Sequence, residues 1–332
     1  MLARLFALLG ITAAFMAGCA AETDDVANGD DDVTSRGKLQ LLVTVDWEGR
    51  DLRDDNIDAM KELHQKFPQV KVVNFLNAAY FTKSDADAAS AKAKITSALG
   101  ANDEKALHIH GWKSLFEAAG DTFIAGPTFW GNTLKPTDCF YDCGHEVPLS
   151  NYSVGDLRKV IKFSLDKLES QGFGRAKSFR CGGWMAKENV REAVAAEGLL
   201  YEESAVPTDF LAPKLGEFPV QGWLSEIWAG ITQLSQPYDI ATPAGHLVEV
   251  PDNGALADYV STDQMFATYQ ANRDEWKKDR SKNVVVSIGF HEETASMYLP
   301  QLEAAIQRMY DDAKANRIPF ESVVTDQLTK PR

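Results

Sequence analysis

Cysteine is scarce in this sequence, with four residues in 332, and that number excludes a scaffold held together by disulfides. None of the four is paired at the two-residue spacing of a structural zinc site. Basic residues are also in deficit: 34 Lys and Arg face 48 Asp and Glu, and the net charge of −14 argues against nucleic-acid binding. Hydrophobic and charged fractions of 45% and 25% are those of a globular protein, which excludes a disordered or fibrous chain.

The first 18 residues are typical of an export signal. Arg4 is their only charge, and the apolar run at residues 5–18 is short for a membrane span. Small residues directly before Cys19 resemble a bacterial lipoprotein signal, which implies cleavage before Cys19 and a lipid on its thiol. We therefore expect an exported protein anchored to the cell envelope by lipid alone. The alternative is an ordinary secretory signal followed by an incidental cysteine.

The segment after Cys19 is acidic and contains almost nothing apolar. Its acidic residues are Glu22, Asp24, Asp25, Asp30, Asp31 and Asp32. Such a segment cannot bury enough surface to order itself, so residues 19–37 are predicted to be a solvated tether. The folded domain is then expected to span residues 38–332.

Apolar runs of strand length alternate with helical periodicity along the remaining chain. The predicted strands lie at residues 39–45, 70–76, 107–110, 176–179, 247–250, 284–290 and 318–324. Helices are predicted near residues 57–67, 84–99, 153–168, 186–197, 263–278 and 298–315. A long polar and aromatic loop covers residues 120–152. Seven or eight such units predict an α/β fold, a closed or nearly closed β/α barrel, with a doubly wound open sheet as the alternative.

Titratable residues gather where four of these strands end. They are Asp46 and Glu48, His108 and His110, Arg180, and His291. Residues two apart in a strand face the same way, so the first two pairs each offer two ligands to one side. Two imidazoles with one or two carboxylates predict a divalent metal site, with zinc as the preferred ion. One such residue alone would be read as a cap, but four strand ends together indicate a functional site.

The same four segments resemble the polysaccharide deacetylase superfamily, the carbohydrate esterases with a NodB-homology domain. The motifs appear in the family's order as VTVDWEG, LHIHGW, FRCGGW and VVSIGFH, over about residues 40–320. This resemblance implies a distorted barrel of seven or eight β/α units in a single catalytic domain. It also implies metal-dependent hydrolysis of a carbon–nitrogen bond, with release of an N-acetyl or related acyl group from a sugar.

The resemblance also implies roles for individual residues. Asp46 matches the catalytic base, and Arg180 matches the residue that orients this base. His291 matches the late histidine that protonates the leaving amine. Trp184 matches an aromatic wall of the substrate site.

Two departures concern the metal ligands. The usual adjacent pair of Asp residues is replaced by Asp46-Trp47-Glu48, so Glu48 stands where a metal-binding carboxylate is expected. His110 matches the first motif histidine, but the second, four residues later, falls on Ser114. His108 could replace it from the same face of the strand. The predicted ligands are therefore Glu48, His108 and His110, with Asp46 as a further ligand.

Other residues are weaker candidates. Trp112 and His145 are predicted to contact substrate, and at most two of Trp112, Phe129, Trp130, Trp223 and Trp228 are expected at a cleft. Asp252 could polarise His291 or serve a turn.

Cysteine pairing has two possible arrangements in the predicted domain. Cys139 and Cys143 could form a disulfide in the long loop, which would leave Cys181 unpaired; the alternative is three buried thiols.

The sequence therefore predicts a lipid-anchored, metal-dependent carbohydrate N-deacetylase. A glycan- or peptidoglycan-binding lipoprotein without turnover is the first alternative, and hydrolysis of a non-sugar amide is the second. The expected partner is an N-acetylated polysaccharide or oligosaccharide.

Overall fold

The computed structural model describes residues 37–328. The predicted signal segment, the predicted lipidation site Cys19 and nearly all of the predicted tether lie outside the described residues. No helix within residues 37–328 is both long enough and apolar enough to cross a membrane.

One curved sheet organises the described residues. Its strands are β1 (Leu39–Asp46), β2 (Val72–Asn77), β3 (Glu104–Ile109), β4 (Ser178–Cys181), β5 (Tyr201–Glu202), β6 (Tyr238–Thr242), β7 (Gly245–Glu249), β8 (Val284–His291) and β9 (Phe320–Val323). Seven of them run parallel in the order β7-β5-β4-β3-β2-β1-β8. Strand β6 is antiparallel to β7, and β9 pairs with the first half of β1. The β1 and β8 segments read as continuous apolar runs because both of their faces are buried.

The segment that follows β7 closes most of the remaining gap to β8. Gly254 N donates to Ser287 O at 2.8 Å, and Ala257 N donates to Gly289 O at 2.7 Å. Gly289 N returns a hydrogen bond to Ala255 O at 3.1 Å. A side chain at Gly289 would collide with Thr44 and Leu256, so glycine permits this close approach. The sheet is thus a nearly closed barrel, as predicted, and the open doubly wound alternative is wrong.

Helices cover the outside of the barrel. They are α1 (Asp54–Lys66), α2 (Ala88–Ala98), α3 (Lys113–Ala118), α4 (Val154–Ser170), α5 (Glu188–Ala196), α6 (Thr208–Leu215), α7 (Pro219–Ile227), α8 (Thr262–Lys278) and α9 (Ala295–Ala315). The six predicted helices are all present, and α4 begins as its sequence indicates, with Ser153 Oγ accepting from Asp156 N. Helices α3, α6 and α7 and strands β5 and β6 were not predicted. Each is short, and α6 carries an internal proline at Pro213.

The long loop is fastened at several points although it contains only short turns of helix. A disulfide joins Cys139 to Cys143, with 4.7 Å between their Cα atoms. Lys113 N donates to Cys143 O at 2.8 Å, which ties the bridged segment to α3. Cys181 is a free buried thiol. Of the two arrangements that the sequence left open, the structure therefore has the bridge and not three thiols.

Candidate metal centre and catalytic cleft

The carboxyl ends of the parallel strands surround a cleft of about 350 Å³. Asp46, Glu48 and His110 line it, together with Trp184 and His291. These five predicted residues come from β1, β3, β8 and the turn after β4, so the barrel brings together segments more than 200 residues apart. His108 and Arg180 lie beneath the cleft and are almost completely buried.

Glu48 is the centre of the cluster. Its Oε2 lies 2.7 Å from His110 Nε2 and 2.5 Å from His145 Nε2. Its Oε1 lies 3.4 Å from His108 Nε2 and 3.5 Å from His291 Nε2. The backbone oxygen of Glu48 accepts from Trp112 Nε1 at 2.8 Å, which fixes the turn from which the carboxylate projects.

Two of the histidines are oriented by backbone carbonyls. His108 Nδ1 donates to Arg180 O at 2.8 Å, and His110 Nδ1 donates to His145 O at 2.6 Å. In each ring the carbonyl holds Nδ1, so Nε2 is the atom that faces Glu48. Backbone anchoring of the distal ring nitrogen is also the usual arrangement of histidines that ligate metals.

The atoms of the cluster fit a divalent cation. His108 Nε2 is buried without a hydrogen-bond partner and faces the carboxylate of Glu48. Two lone pairs directed at one another inside a protein are unfavourable, and a cation between them would satisfy both. Glu48, His108 and His110 form a group whose ligand atoms lie within 4.8 Å of one another. Imidazole and carboxylate donors suit first-row divalent metals.

His145 reaches this cluster from the long loop. Its ring stacks on that of His110, with centroids 3.9 Å apart and an angle of 10° between the rings. Arg50 Nη2 lies 3.4 Å from His145 Nδ1, and arginine can only donate, so the proton of the neutral ring lies on Nε2 and faces Glu48. Sequence analysis placed His145 at the substrate; the structure places it against Glu48 as well as in the wall of the cleft.

Ser114, which occupies the position of the usual second histidine, does not contact the cluster. Ser114 Oγ and its backbone N both donate to Asp142, on the side of the bridged loop. Spacing along β3 could not have identified His145, because it lies 35 residues after His110 in a segment without periodicity.

Glu48 and the neighbouring histidines shift one another's pKa values. Burial alone would raise the pKa of Glu48, but the charge of His110 and the contacts of His110 and His145 with the carboxylate lower it well below its usual value. Burial, with repulsion from His110, lowers the pKa of His145 to about 3. Burial opposes the charged form of His110 as well, but the Glu48 charge and the hydrogen bonds to Glu48 and to the His145 backbone together raise the pKa of His110. The cluster thus contains an anion, a cationic ring and a neutral ring in contact.

Asp46 has a cationic partner of its own. Arg180 Nη1 donates to Asp46 Oδ1 at 3.0 Å and to Thr44 Oγ1 at 3.0 Å, while Nε donates to Glu203 O at 2.9 Å. Burial works against the Arg180 charge, but the nearby carboxylates raise its pKa. These contacts agree with the orienting arrangement that the sequence resemblance implied.

His291 has an anionic partner. Its Nδ1 lies 3.0 Å from Asp258 Oδ2. Burial would lower the pKa of His291, but Asp258, supported by Glu48 and Asp46, raises it to about 10. Sequence analysis considered Asp252 for this partnership, and that assignment is wrong. Asp252 instead accepts from Trp184 Nε1 and Ser287 Oγ, each at 3.3 Å, and lies 3.9 Å from Arg180 Nη2.

Asp258 and Glu293 are site residues that sequence analysis missed. Asp258 follows the closing segment after β7, and Glu293 lies in the turn after β8. Glu293 lines the cleft and pairs with Arg50 Nε at 3.2 Å. The position of Glu293, two residues after His291, could have identified it as a site residue. The sequence around Asp258 contains no comparable indication.

The aromatic predictions have mixed outcomes. Trp184, Phe129 and Trp130 line the cleft. Trp112 does not line it, because its ring is buried behind Glu48 and covered by Lys83 Nζ at 4.1 Å from the ring centroid. Of the five aromatic residues considered beside Trp184, Phe129 and Trp130 line this cleft and Trp112 lines an adjoining one, so three lie at a cleft where at most two were expected.

Comparison with known proteins finds similar solved structures but no similar sequence family. No protein-family model matches the sequence, and no curated protein matches it. Solved structures similar to this chain include members of carbohydrate esterase family 4, the class that the motifs resemble. One is a family 4 carbohydrate esterase from Streptomyces lividans in complex with acetate, at 13% identity and a TM-score of 0.42, which covers 89% of this chain and 98% of that one.

Two further structures of carbohydrate esterase family 4 are similar to this chain, again at low sequence identity. The family 4 esterase domain of a xylanase from the hindgut metagenome of Trinervitermes trinervoides shows 9% identity and a TM-score of 0.43, over 88% of this chain and 89% of that one. A family 4 pseudoenzyme from Bacillus anthracis shows 10% identity and a TM-score of 0.38, over 89% and 67%. Because these similarities are low, the function is inferred below from the side chains of the cleft.

A metal-content measurement tests the centre directly. We expect the purified protein to hold about one equivalent of zinc when zinc is supplied, measured by plasma mass spectrometry. The double variant His108→Ala/His110→Ala should retain less than a tenth of that amount, because two of the three ligand side chains are gone. His246→Ala removes an exposed histidine outside the cleft and should leave the zinc content unchanged. A wild-type protein that stays empty in zinc contradicts the assignment.

Proposed function

We propose that this protein is a metal-dependent hydrolase that removes N-acetyl or related acyl groups from a carbohydrate. The observation that supports this proposal is that two titratable groups beside one candidate metal centre have partners of opposite charge. Asp46 is paired with a cation, Arg180, and His291 is paired with an anion, Asp258. Glu48 lies between them and contacts the histidine cluster.

The candidate metal centre is built from Glu48, His108 and His110, with zinc as the preferred ion. A divalent cation held there would polarise the acyl carbonyl and lower the pKa of an attacking water towards about 7. Glu48 contributes the negative charge that attracts the cation, and the two backbone carbonyls keep both imidazoles aimed at it.

Asp46 is suited to take the proton of the attacking water. Its Oδ1 accepts a hydrogen bond from Arg180 Nη1 at 3.0 Å, which fixes the carboxylate in one orientation. Asp46 also lines the cleft, which leaves it accessible to a water molecule beside the candidate metal centre.

His291 is suited to give a proton to the departing nitrogen. Asp258 accepts from Nδ1, so Nε2 is the atom that faces the cleft with a proton. A raised pKa keeps the ring protonated through neutral pH, which a general acid requires. Asp46 and His291 thus supply the acceptor and the donor of protons that amide hydrolysis needs.

Substitution of either group should abolish turnover. We expect Asp46→Asn and His291→Ala each to lower kcat/KM for acetate release from N-acetylated chito-oligosaccharides by about 10²- to 10⁴-fold. Both variants should keep the wild-type circular dichroism spectrum. Asp209→Asn and His246→Ala, which change exposed residues, should behave as the wild type. Near-wild-type acetate release by either site variant would exclude the assigned role.

The partnership of His291 with Asp258 predicts a change in pH dependence. His291 acts while protonated, so activity is lost as pH rises through its pKa. Asp258→Asn removes the anion that raises this pKa, and the alkaline limb of the kcat/KM profile should move to lower pH by at least one unit. Loss of activity at every pH without movement of the limb would show that Asp258 has only a structural role.

We also propose that the protein is exported and carries a lipid on Cys19, which lies outside the described residues. The support is the sequence of the first 19 residues alone. Cells fed a labelled fatty acid should incorporate the label into the wild-type protein and not into Cys19→Ala. Label that persists in the variant, or fails to enter the wild type, contradicts this proposal.

A further inference from the structure

His145 follows a short segment that a disulfide closes. The bridge joins Cys139 to Cys143, four residues apart, and His145 lies two residues beyond it. Lys113 N donates to Cys143 O at 2.8 Å. Because Lys113 begins α3, just after the strand that carries two of the candidate ligands, the bridged segment is fastened beside the end of that strand.

Two glycines let the segment lie directly against the chain that follows β3. Gly144 has a φ of +96°, which favours glycine, and a side chain there would collide with Gly111 O. A side chain at Gly111 would in turn come within 2.9 Å of Gly144 O. On the other side of His145, Phe129 N donates to Glu146 O at 2.8 Å. The backbone of His145 is therefore held on both sides by contacts distant in sequence.

His145 contacts two of the candidate ligands through different parts of the residue. Its backbone O accepts from His110 Nδ1 at 2.6 Å, and its ring Nε2 donates to Glu48 Oε2 at 2.5 Å. The other oxygen of the carboxylate, Oε1, faces His108 Nε2, which is buried without a hydrogen-bond partner. The contact at Oε2 thus orients the carboxylate and leaves Oε1 for a cation.

Arg50 determines which nitrogen of His145 carries the proton. Its Nη2 lies 3.4 Å from His145 Nδ1, and its Nε is paired with Glu293 at 3.2 Å. Arginine can only donate, so Nδ1 accepts and the proton lies on Nε2. A ring nitrogen that carries a proton cannot coordinate a metal. His145 is therefore arranged to support the ligands and not to join them.

The disulfide is suited to a local role. A bridge that closes a few residues constrains the unfolded chain less than one that closes a long loop. Its effect is therefore expected mainly on the position of the segment that leads into His145. Cys143 is buried and Cys139 is half-buried, so the bridge lies at the edge of the fold where this segment begins.

We propose that His145 is a positioning residue of the candidate metal centre, held in place by the bridge between Cys139 and Cys143. Its ring orients the carboxylate of Glu48, and its carbonyl orients the ring of His110. The loop thus supplies a support for the centre in a chain that has Ser114 where a second motif histidine is usual. This inference rests on the metal centre of the proposed function and adds what sets its affinity.

Zinc affinity tests the role of the ring. In the full chain carrying Cys19→Ala, His145→Ala should raise the zinc Kd by about 10- to 100-fold, measured at constant pH by competition with a chromophoric chelator. His145→Gln keeps a side-chain N–H that can donate to Glu48 and should recover part of the affinity. His246→Ala, an exposed histidine outside the cleft, is the matched control and should bind zinc as the wild type does.

Two results of this measurement would overturn the proposal. One is an equal zinc Kd for the wild type and His145→Ala. The other is failure of His145→Gln to bind zinc more tightly than His145→Ala, which is the result expected of a directly ligating ring. Circular dichroism spectra that match the wild type should accompany each variant.

The bridge is tested in two backgrounds. Cys139→Ser/Cys143→Ser should raise the zinc Kd by about threefold or more in the wild-type background. In the His145→Ala background it should raise the Kd by a smaller factor, because both changes weaken one support. Equal factors in the two backgrounds would mean that the bridge and His145 act independently, which overturns the proposal.

Acetate release, measured on the same samples, separates this inference from the proposed hydrolysis. A wild type that binds zinc with the expected dependence on His145, and releases no acetate, supports the positioning role and makes the hydrolysis wrong. An active wild type whose zinc Kd does not respond to His145→Ala overturns the positioning role and leaves the hydrolysis in place. A wild type that binds no zinc overturns both.

Discussion

A single buried carboxylate, that of Glu48, determines the arrangement of the site. It lies among four imidazole rings at the carboxyl edge of a parallel sheet, where burial would otherwise favour its neutral form. Glu48 stays charged because the rings surround it, and backbone carbonyls hold the distal nitrogens of two of them, His108 and His110. All four rings contact the same carboxylate, so a change in any one of them affects the others.

Two proton-transfer groups of opposite character flank this unit. Asp46 shares a hydrogen bond with a buried guanidinium, and His291 shares one with a carboxylate. Each group therefore has its own counter-ion, and neither has to exchange protons with the other. The separation depends on the barrel, because Asp46 and His291 end neighbouring strands and lie opposite each other in register. Strand pairing thus sets the spacing between the proposed base and the proposed acid.

The parts of the site that lie on regular strands could be predicted from the sequence. Asp46, His110 and His291 follow apolar runs of strand length, and parallel strands bring their ends to one edge. His145 and Asp258 could not be predicted in their observed roles, because they lie in aperiodic segments held by contacts distant in sequence. The contacts of Trp112 could not be predicted for a related reason: the motif predicts an aromatic residue near the site, but only packing shows that its indole donates to the Glu48 backbone. The proline in α6 interrupts the helical pattern that would have revealed it.

The closing segment after β7 has a mechanical consequence. It joins β8 through a few backbone hydrogen bonds and the side chain of Asn253, whereas β8 is paired along its whole length with β1 on its other side. Asp258 lies just past this segment and His291 lies at the end of β8, so the two members of one ion pair stand on opposite sides of this junction. Separation of the closing segment from β8 would lengthen the Asp258–His291 ion pair directly. The Asp46–Arg180 ion pair does not span this junction. The pKa of His291 therefore depends on how firmly the closing segment is held against β8.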